Sequence, residues 1–171
     1  MSSSTVVVLG GGTGGIVAAS RLARKLSNGH KVVLVEREPT YRYAPSFLWL
    51  MSGARRPEQI SRDRRRAARR GIELVHAQAR TIDTDGQRVD TSRGPIGYDR
   101  LVIALGAELA PDALPGYTEA AHNVYTLEGA LAAGRALHEF EGGRVVVLVS
   151  RLPYKCPAAP YETALLAEAL L

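Results

Sequence analysis

Residues 5–36 read TVVVLGGGTGGIVAASRLARKLSNGHKVVLVE and divide into four segments. Thr5–Leu9 is a run of β-branched and apolar residues, which is typical of a strand buried on both faces. A glycine-rich turn follows, and from residue 16 to residue 26 apolar side chains recur at helical spacing. Residues 31–35 form a second apolar run that ends at Glu36. This order predicts a strand, a glycine turn, a helix and a second strand parallel to the first.

The glycine turn has the spacing G-x-G-x-x-G, carried by Gly10, Gly12 and Gly15. The first glycine allows a tight exit from the strand, the second lets the backbone approach a pyrophosphate, and the third lets helix and strand pack closely. The helix N-terminus offers free N–H groups to phosphates. Glu36, about 20 residues further on, can accept hydrogen bonds from both hydroxyls of an adenosine ribose. Because an acid here repels a 2′-phosphate, the pattern predicts a site for FAD or NAD rather than NADP.

The composition limits the class of protein. The 171 residues, 46% of them hydrophobic, suit one globular domain or slightly more than one. Residues 1–5 are too short and too polar for a signal peptide, and no apolar run is long enough to span a bilayer, so we expect a soluble, cytoplasmic chain. The single cysteine, Cys156, excludes an intramolecular disulfide and a cysteine-based metal site. No metal site is expected from the histidines either, because they lack ligand spacing: His30, His76, His122 and His138.

Positive charge is concentrated in residues 55–70, which hold eight arginines against two acidic residues in a chain of net charge +5. The segment predicts a helix that begins after Pro57 and ends at Gly71. A solvated helix face is the favoured interpretation, ahead of contact with an anionic membrane surface or with nucleic acid. No aromatic residues interleave with the arginines for base stacking, so no nucleic-acid partner is expected and peripheral membrane contact is the better alternative.

A β-hairpin is predicted between the parallel strands. Residues 78–83 and 87–91 alternate in polarity and are joined by Asp85-Gly86, and residues 95–98 continue this antiparallel unit. Residues 101–105 are again continuously apolar and predict a return to the parallel sheet. A hairpin layer at this place departs from the plain NAD-dehydrogenase pattern and favours the flavin-binding variant of the fold.

The tyrosine-rich loop over residues 39–45 leads through a Pro-Ser turn into a short apolar helix near residues 47–51. Such a helix can pack against a flat ligand or fill the core. The residues alone leave both interpretations open.

The remaining residues predict the start of a second unit. Residues 107–116 form a linker, a short strand over 123–125 precedes a helix over 127–140, and residues 144–149 form another apolar strand. The loop over 150–160 contains no glycine, and its prolines lack the backbone donors that a pyrophosphate needs, so this unit is not expected to bind a nicotinamide cofactor in the usual way. The expected domains are residues 1–110 and 111–171.

Cys156 is the candidate nucleophile. It precedes a helix that is predicted to begin at Pro160 and end at Leu171, and Lys155 stands beside it. A helix N-terminus and a neighbouring cation both favour the thiolate. The alternative is a buried, inert cysteine in a proline-stiffened loop, and the residues alone do not separate the two.

Four stretches of this sequence resemble the FAD-dependent pyridine nucleotide-disulfide oxidoreductase superfamily, in particular its sulfide:quinone oxidoreductase and flavocytochrome c sulfide dehydrogenase branch. VVVLGGGTGGIVAA with VVLVERE is similar to the FAD-ADP site, and YDRLVIALGA is similar to the second flavin signature, with Leu105 where the family usually has Thr. PYKCPAAPYE resembles the redox-cysteine loop of the sulfide dehydrogenases. YAPSFLWLMSGARRPEQI resembles the segment near the isoalloxazine.

The resemblance implies an α/β fold: a Rossmann-like FAD-binding domain, with a parallel sheet, helices and an antiparallel hairpin layer, followed by the beginning of a second Rossmann-like unit. It also implies FAD as the cofactor and Cys156 as the catalytic residue. The implied cofactor-binding residues lie along the pyrophosphate, the ribose, the adenine and the flavin side: Gly10, Gly12, Thr13, Gly14 and Gly15; Glu36 and Arg37; Ala79; Pro45, Ser46, Ala104, Leu105 and Gly106.

The implied activity is oxidation of sulfide or a small thiol through a redox cysteine and the flavin, with a quinone or cytochrome as electron acceptor. With Cys156 as the only cysteine, a disulfide cycle cannot close within these 171 residues. We therefore expect little or no sulfide oxidation by the chain by itself, and completion by a homodimer or a separate C-terminal chain. The alternatives are an NADH:quinone-type FAD reductase and a non-catalytic cofactor-binding fragment or subunit.

Overall fold

The computed structural model describes residues 3–26, 29–66 and 71–171, which fall into two compact units. One unit comprises Met1–Tyr41 and Arg62–Glu108, and the other comprises Arg42–Ser61 and Leu109–Leu171. The elements in chain order are β1 (Thr5–Leu9), α1 (Thr13–Lys25), β2 (Lys31–Glu36), β3 (Thr40–Arg42), α2 (Phe47–Met51), α3 (Pro57–Ile60), β4 (Ser61–Asp63), β5 (Glu73–His76), β6 (Ala79–Asp83), β7 (Arg88–Thr91), β8 (Gly94–Gly97), β9 (Arg100–Ile103), α4 (Tyr117–Ala120), α5 (Leu127–His138) and α6 (Ala159–Leu170).

Within the described part of the first unit, four parallel strands form a sheet in the order β5-β2-β1-β9. Val7 of β1 stands opposite Val33 of β2 and Leu101 of β9. Helix α1 covers one face of this sheet, where Ala19 packs with Val8. Because side chains on both faces are covered, a continuous apolar run is the pattern that such strands require. The predicted strand, glycine turn, helix and parallel strand are confirmed.

The other face of the parallel sheet carries the antiparallel layer, in which β6, β7 and β8 pair in sequence order. Val89 of β7 is fully buried in a cluster with Leu9 and Val35. The tight turn is closed by the Gly86 N–H, which donates to Asp83 Oδ1 at 2.8 Å. The predicted hairpin is confirmed, and with it the α/β fold class that couples a parallel sheet to an antiparallel layer.

The second unit is built on helices. Phe47 and Leu50 of α2 pack with Ala130 of α5, and the other side of α2 packs against α5 and α6. The position that a Cβ would take at Gly134 lies 2.6 Å from the carbonyl oxygen of Met51, so glycine permits the close approach of α2 and α5. Helix α2 therefore fills a core, which accounts for the grouping of residues 42–61 with this unit rather than with the domain 1–110 expected from the sequence.

The helix predicted from Pro57 to Gly71 is confirmed over Pro57–Ile60 and is wrong over residues 61–66. Helix α3 ends at Ile60, the chain continues as β4 beside β3, and Arg64–Arg66 form a single 3-10 turn. Residues 67–70 lie outside the described residues. Strand pairing and the bond from the Arg64 N–H to the Pro39 carbonyl oxygen (3.1 Å) override the helical propensity of the arginine-rich run.

Two predicted strands of the second unit do not form. Residues 123–125 make a turn in which the Tyr125 N–H donates to Asn123 Oδ1 (3.1 Å), and Thr126 caps α5 by accepting from the Gly129 N–H (3.0 Å). Residues 144–149 are not in a strand, and the side chains of Val146 and Leu148 are exposed. An apolar run becomes a strand only where another strand pairs with it, and the described residues supply none here.

Candidate dinucleotide-binding site

The glycine turn joins β1 to α1 and lies against the end of β9. Gly10 has φ +89°, and a Cβ there would lie 2.4 Å from the carbonyl oxygen of Ala104. A Cβ at Gly15 would lie 1.7 Å from the carbonyl oxygen of Gly10, which is a severe steric clash. The Gly10 N–H donates to the Val35 carbonyl oxygen at 2.9 Å, which ties the turn to β2. Glycine is therefore required at both positions by contact with backbone.

The outer face of the turn is open. Gly12, Thr13 and Gly14 are exposed, and no heavy atom of the described chain beyond its neighbours lies within 4 Å of the Cβ position at Gly12. Helix α1 begins at Thr13 and runs for 13 residues, so the positive end of its dipole and its first N–H groups face this space. The turn has the open backbone and the charge that suit a pyrophosphate.

Glu36 lies at the end of β2 with its side chain 12% exposed. Its Oε2 accepts a hydrogen bond from the Gly11 N–H at 2.6 Å, and its Oε1 accepts one from the Glu38 N–H at 2.9 Å. The two bonds fix the carboxylate beside the glycine turn. Each carboxylate oxygen keeps further acceptor capacity, so Glu36 fits the two hydroxyls of an adenosine ribose, and the residues present suit the ADP half of FAD.

Arg64 is the residue of this site that the sequence did not indicate. Its side chain is 8% exposed, its Nη1 donates to the Gly11 carbonyl oxygen, and its Nη2 lies 3.6 Å from Glu36 Oε2. The guanidinium stacks over the Tyr41 ring, 5.4 Å from the centroid, and the Tyr41 hydroxyl is hydrogen-bonded to Thr13 Oγ1 at 3.1 Å. Burial lowers the pKa of Arg64, and the charge of Glu36 opposes that shift.

Nothing in the spacing of the arginines distinguishes Arg64 from its neighbours, because its burial depends on the pairing of β3 and β4. The solvated face expected for the whole run does hold for Arg65, whose side chain is 81% exposed and pairs with Asp63. Tyr41 belongs to the tyrosine-rich loop over residues 39–45. Arginine commonly stacks on tyrosine, but the residue types alone do not show which arginine stacks on which tyrosine.

The other predicted residues of the first unit differ in their surroundings. Ala104 packs beneath the turn, with its Cβ 3.6 Å from the Cβ position of Gly15. Ala79 begins β6 and is half-buried. Arg37 is 60% exposed, with its Nε 3.8 Å from Glu38 Oε1, so it pairs with Glu38 rather than with Glu36. The end of the second flavin signature is exposed, namely Leu105 and Gly106.

The predicted flavin-side residues Pro45 and Ser46 belong to the second unit. They form a 3-10 turn at Ala44–Ser46 that enters α2, and Ser46 is buried whereas Pro45 is exposed. The glycine turn belongs to the first unit.

Cys156 is exposed and lies three residues before α6, with φ +56°. Its carbonyl oxygen accepts from the Ala159 N–H at 3.0 Å, and the carbonyls on either side of it are held by tyrosines. The Tyr125 hydroxyl donates to the Lys155 carbonyl oxygen, and the Tyr154 hydroxyl donates to the Pro157 carbonyl oxygen at 3.3 Å. Burial raises the pKa of Tyr125, and the neighbouring Cys156 acts in the same direction. The alternative of a buried cysteine is wrong.

Residues 4–148 match the family model described as pyridine nucleotide-disulphide oxidoreductase. The chain belongs to this family. Its members and the sulfide–quinone reductases among its relatives are FAD-binding flavoproteins, so the expected cofactor, FAD, is confirmed. The resemblance on which that expectation rested is confirmed as well.

The chain is 35% identical over 164 residues to a sulfide-quinone reductase of Aquifex aeolicus (strain VF5). The match covers 94% of this chain and 38% of that protein. The chain is 31% identical over 154 residues to the alternative NAD(P)H-ubiquinone oxidoreductase C1, chloroplastic/mitochondrial, of Arabidopsis thaliana, covering 80% of this chain and 30% of that protein. The solved sulfide:quinone oxidoreductase of Aquifex aeolicus superposes with a TM-score of 0.70 at 35% identity, covering 80% of this chain and 32% of that one. The chain thus spans well under half the length of these relatives.

Proposed function

We propose that this chain forms the FAD-binding part of a flavoprotein of the sulfide:quinone oxidoreductase type. The observation that carries the proposal is the Glu36 carboxylate, fixed by the Gly11 N–H at 2.6 Å beside the open N-terminus of α1. The similarity to a sulfide-quinone reductase over 94% of the chain supports it. The substrates that follow are sulfide or a small thiol, with a quinone or cytochrome as acceptor.

Different residues are proposed to bind different parts of FAD. The N–H groups at the start of α1 bind the pyrophosphate, and Gly12 allows its close approach. Glu36 accepts the ribose hydroxyls. FAD, when bound, supplies the acceptor for the electron pair released when sulfide sulfur is oxidised. Cys156 supplies an exposed sulfur nucleophile on a loop held at Lys155 and Pro157.

A quinone acceptor dissolves in the membrane, so peripheral membrane contact follows from the proposal. Within residues 3–26, 29–66 and 71–171, no helix has the length and hydropathy needed to cross a bilayer. Cys156 is the single cysteine of these 171 residues, so it has no partner here for a disulfide. We propose that a homodimer or a separate C-terminal chain supplies the second cysteine that turnover requires.

An NADH:quinone-type reductase is the rival function, and the 31% identity to a plant NAD(P)H-ubiquinone oxidoreductase is the observation in its favour. The loop after residues 144–149 argues against it, because it holds Pro153, Pro157 and Pro160 and no glycine. Bleaching of bound flavin by NADH under anaerobic conditions would restore this rival, whereas bleaching by sulfide and not by NADH supports the proposal.

The binding test is a visible absorption spectrum of the purified chain after incubation with FAD and removal of the excess. We expect flavin bands in the unaltered chain. Glu36→Ala should lower FAD affinity by about tenfold or more, because it removes charge-assisted bonds to the ribose. Glu38→Ala is the matched control, since its carboxylate pairs with Arg37. Full FAD affinity in Glu36→Ala would contradict the assignment.

The redox test uses the flavin-loaded chain under anaerobic conditions with sulfide. Cys156→Ser should keep its flavin bands and lose sulfide-dependent bleaching. Forming an S–S bond between sulfide and the Cys156 thiolate releases two electrons, which the flavin accepts as oxidant, and serine has no sulfur with which to form that bond. Steady-state sulfide oxidation by the chain by itself should be small. Full turnover by the purified chain without a partner would contradict the proposed need for completion.

A further inference from the structure

Arg64 is a buried cation in a run of exposed ones. Its side chain is 8% exposed, whereas that of Arg65 is 81% exposed, and Arg66 is exposed as well. Arginine is among the residues that are almost never fully buried without partners. The burial of this one guanidinium beside the glycine turn therefore needs a physical reason.

The contacts of Arg64 within the chain satisfy only part of its hydrogen-bonding capacity. Nη1 donates to the Gly11 carbonyl oxygen, Nη2 lies 3.6 Å from Glu36 Oε2, and the plane stacks on Tyr41. Its Nε is buried and has no hydrogen-bond partner among the residues that the structure describes. A buried donor without an acceptor costs free energy, so this nitrogen indicates an acceptor that a ligand would supply.

The chemistry of that acceptor follows from the charges. Glu36 carries one negative charge and is already bonded to two backbone N–H groups. A guanidinium forms its strongest bonds with carboxylate and phosphate oxygens. Tyr41 links the guanidinium to Thr13, the first residue of α1, where the sequence pattern expects the pyrophosphate.

We propose that Arg64 is a further cofactor-binding residue, whose Nε donates to a phosphate oxygen of the ADP half of the dinucleotide, an inference that rests on the proposed function of this site. In this arrangement Glu36 binds the ribose and Arg64 binds the adjacent phosphate. The two side chains, which have opposite charges, then bind neighbouring groups of one ligand: the acidic side chain binds the ribose hydroxyls, and the basic side chain binds the phosphate.

Calorimetric titration of the full chain with ADP, adenosine and inorganic phosphate tests this arrangement. Arg64→Met should lower ADP affinity by about tenfold or more, the loss of one charge-assisted bond. Adenosine affinity should change by less than about twofold, because adenosine has no phosphate to lose. Arg66→Met is the matched control and should leave both affinities within about twofold. Inorganic phosphate should bind far more weakly than ADP, since it lacks the ribose that Glu36 accepts.

The outcomes distinguish the proposed phosphate contact of Arg64 from the proposed function of the site in binding FAD. Equal losses for ADP and adenosine in Arg64→Met would mean that Arg64 acts only by holding Glu36, and this would overturn the phosphate contact. Unchanged ADP affinity would overturn it as well, while binding by the unaltered chain would leave the proposed function standing. Failure of the unaltered chain to bind either ADP or FAD would remove both.

A second variant covers loss of folding. If circular dichroism shows that Arg64→Met is unfolded, Arg64→Lys keeps a positive charge but lacks the Nε–H and the planar fork. Its ADP affinity should fall between those of the unaltered chain and a chain without the cation. ADP affinity equal to that of the unaltered chain would show that charge suffices and would overturn the role of Nε.

Discussion

Two turns in this chain occupy the same place between an apolar run and a helix, and they present different chemical groups. The glycine turn at residues 10–15 follows an apolar run and precedes α1, and the loop at residues 150–158 follows an apolar run and precedes α6. The first turn exposes backbone N–H groups through glycine. The second carries prolines and presents the side chain of Cys156 instead. The residue types in the turn, rather than the shared order of apolar run, turn and helix, decide whether such a turn suits an anion or presents a nucleophile.

The largest expected effect comes from placing a methyl group inside the glycine turn. Gly15→Ala would bring a Cβ to 1.7 Å from the Gly10 carbonyl oxygen, so we expect a loss of about 3 kcal/mol or more in the free energy of unfolding and no FAD binding. Gly12→Ala is the control, because its Cβ meets open space. It should keep stability within about 0.5 kcal/mol and still weaken FAD binding, since it narrows the approach to the pyrophosphate.

Urea titrations and FAD binding measured on both glycine variants decide this point. Equal stability of Gly15→Ala and the unaltered chain would mean that helix α1 can move away from the turn after β1. That result would contradict the requirement for glycine at position 15.

The second expected effect concerns the backbone of the cysteine loop. Cys156 has φ +56°, a conformation that glycine adopts at no steric cost and other residues adopt at a cost of about 1 kcal/mol. Cys156→Gly should therefore be more stable than Cys156→Ala by about that amount in urea unfolding. The two variants share the loss of the thiol, so a difference between them reports the backbone. If alanine is as stable as glycine, the loop is not held in this conformation.

A third, smaller effect tests the tyrosine bonds that flank the cysteine. Tyr125→Phe removes a bond to the Lys155 carbonyl oxygen and should cost about 1 kcal/mol, whereas Tyr154→Phe removes a longer bond of 3.3 Å and should cost less. Burial also raises the pKa of Tyr125, so its neutral form is favoured in the folded chain. Its contribution to stability is complete below the unfolded value near pH 10 and is lost as the pH rises through the folded value.

An ultraviolet titration of tyrosine ionisation in the unaltered chain and in Tyr125→Phe measures this shift. A difference spectrum that titrates at the ordinary tyrosine value would contradict it.

The smallest effect concerns the exposed pair next to Arg64. The bond from Arg65 lowers the pKa of Asp63 from 3.8 to about 2. A lowered pKa means that the pair stabilises the fold above pH 3.8 and that this contribution is lost as the pH falls through about 2. Carbon-detected NMR titration of the Asp63 carboxyl checks the value. In Arg65→Ala the pKa should return towards 3.8, and no change in that variant would assign the shift to another cause.

The parts of the fold that local pattern could predict are those with local causes. The spacing of the glycines is local, with Gly15 packed against the carbonyl oxygen of Gly10 five residues earlier, and Asp85-Gly86 closes the hairpin through a bond to Asp83. Arg64 could not be predicted, because its burial results from pairing between β3 and β4 and from stacking on Tyr41. The sequence therefore predicts the turn that suits the phosphates and misses the cation beside it.

The errors in the second unit have the same origin. Residues 144–149 have the composition of a buried strand, but a strand forms only with a hydrogen-bonded neighbour, which composition does not supply. Residues 123–125 are predicted as a short strand, whereas Asn123 Oδ1 accepts a hydrogen bond from the Tyr125 N–H and the segment makes a turn. The roles of the individual site residues in binding FAD stay predictions, and the variants above test them.

The exposed run of apolar residues at 145–149 has a practical consequence for handling the protein. Val145, Val146, Val147, Leu148 and Val149 carry no charge, contain no proline and are all exposed. Short segments of high β-propensity and low charge act as templates for pairing between molecules. Light scattering should therefore rise with protein concentration, and a Val147→Lys substitution should suppress that rise by adding a charge to the segment. Dilute samples are the ones in which flavin binding can be compared between variants.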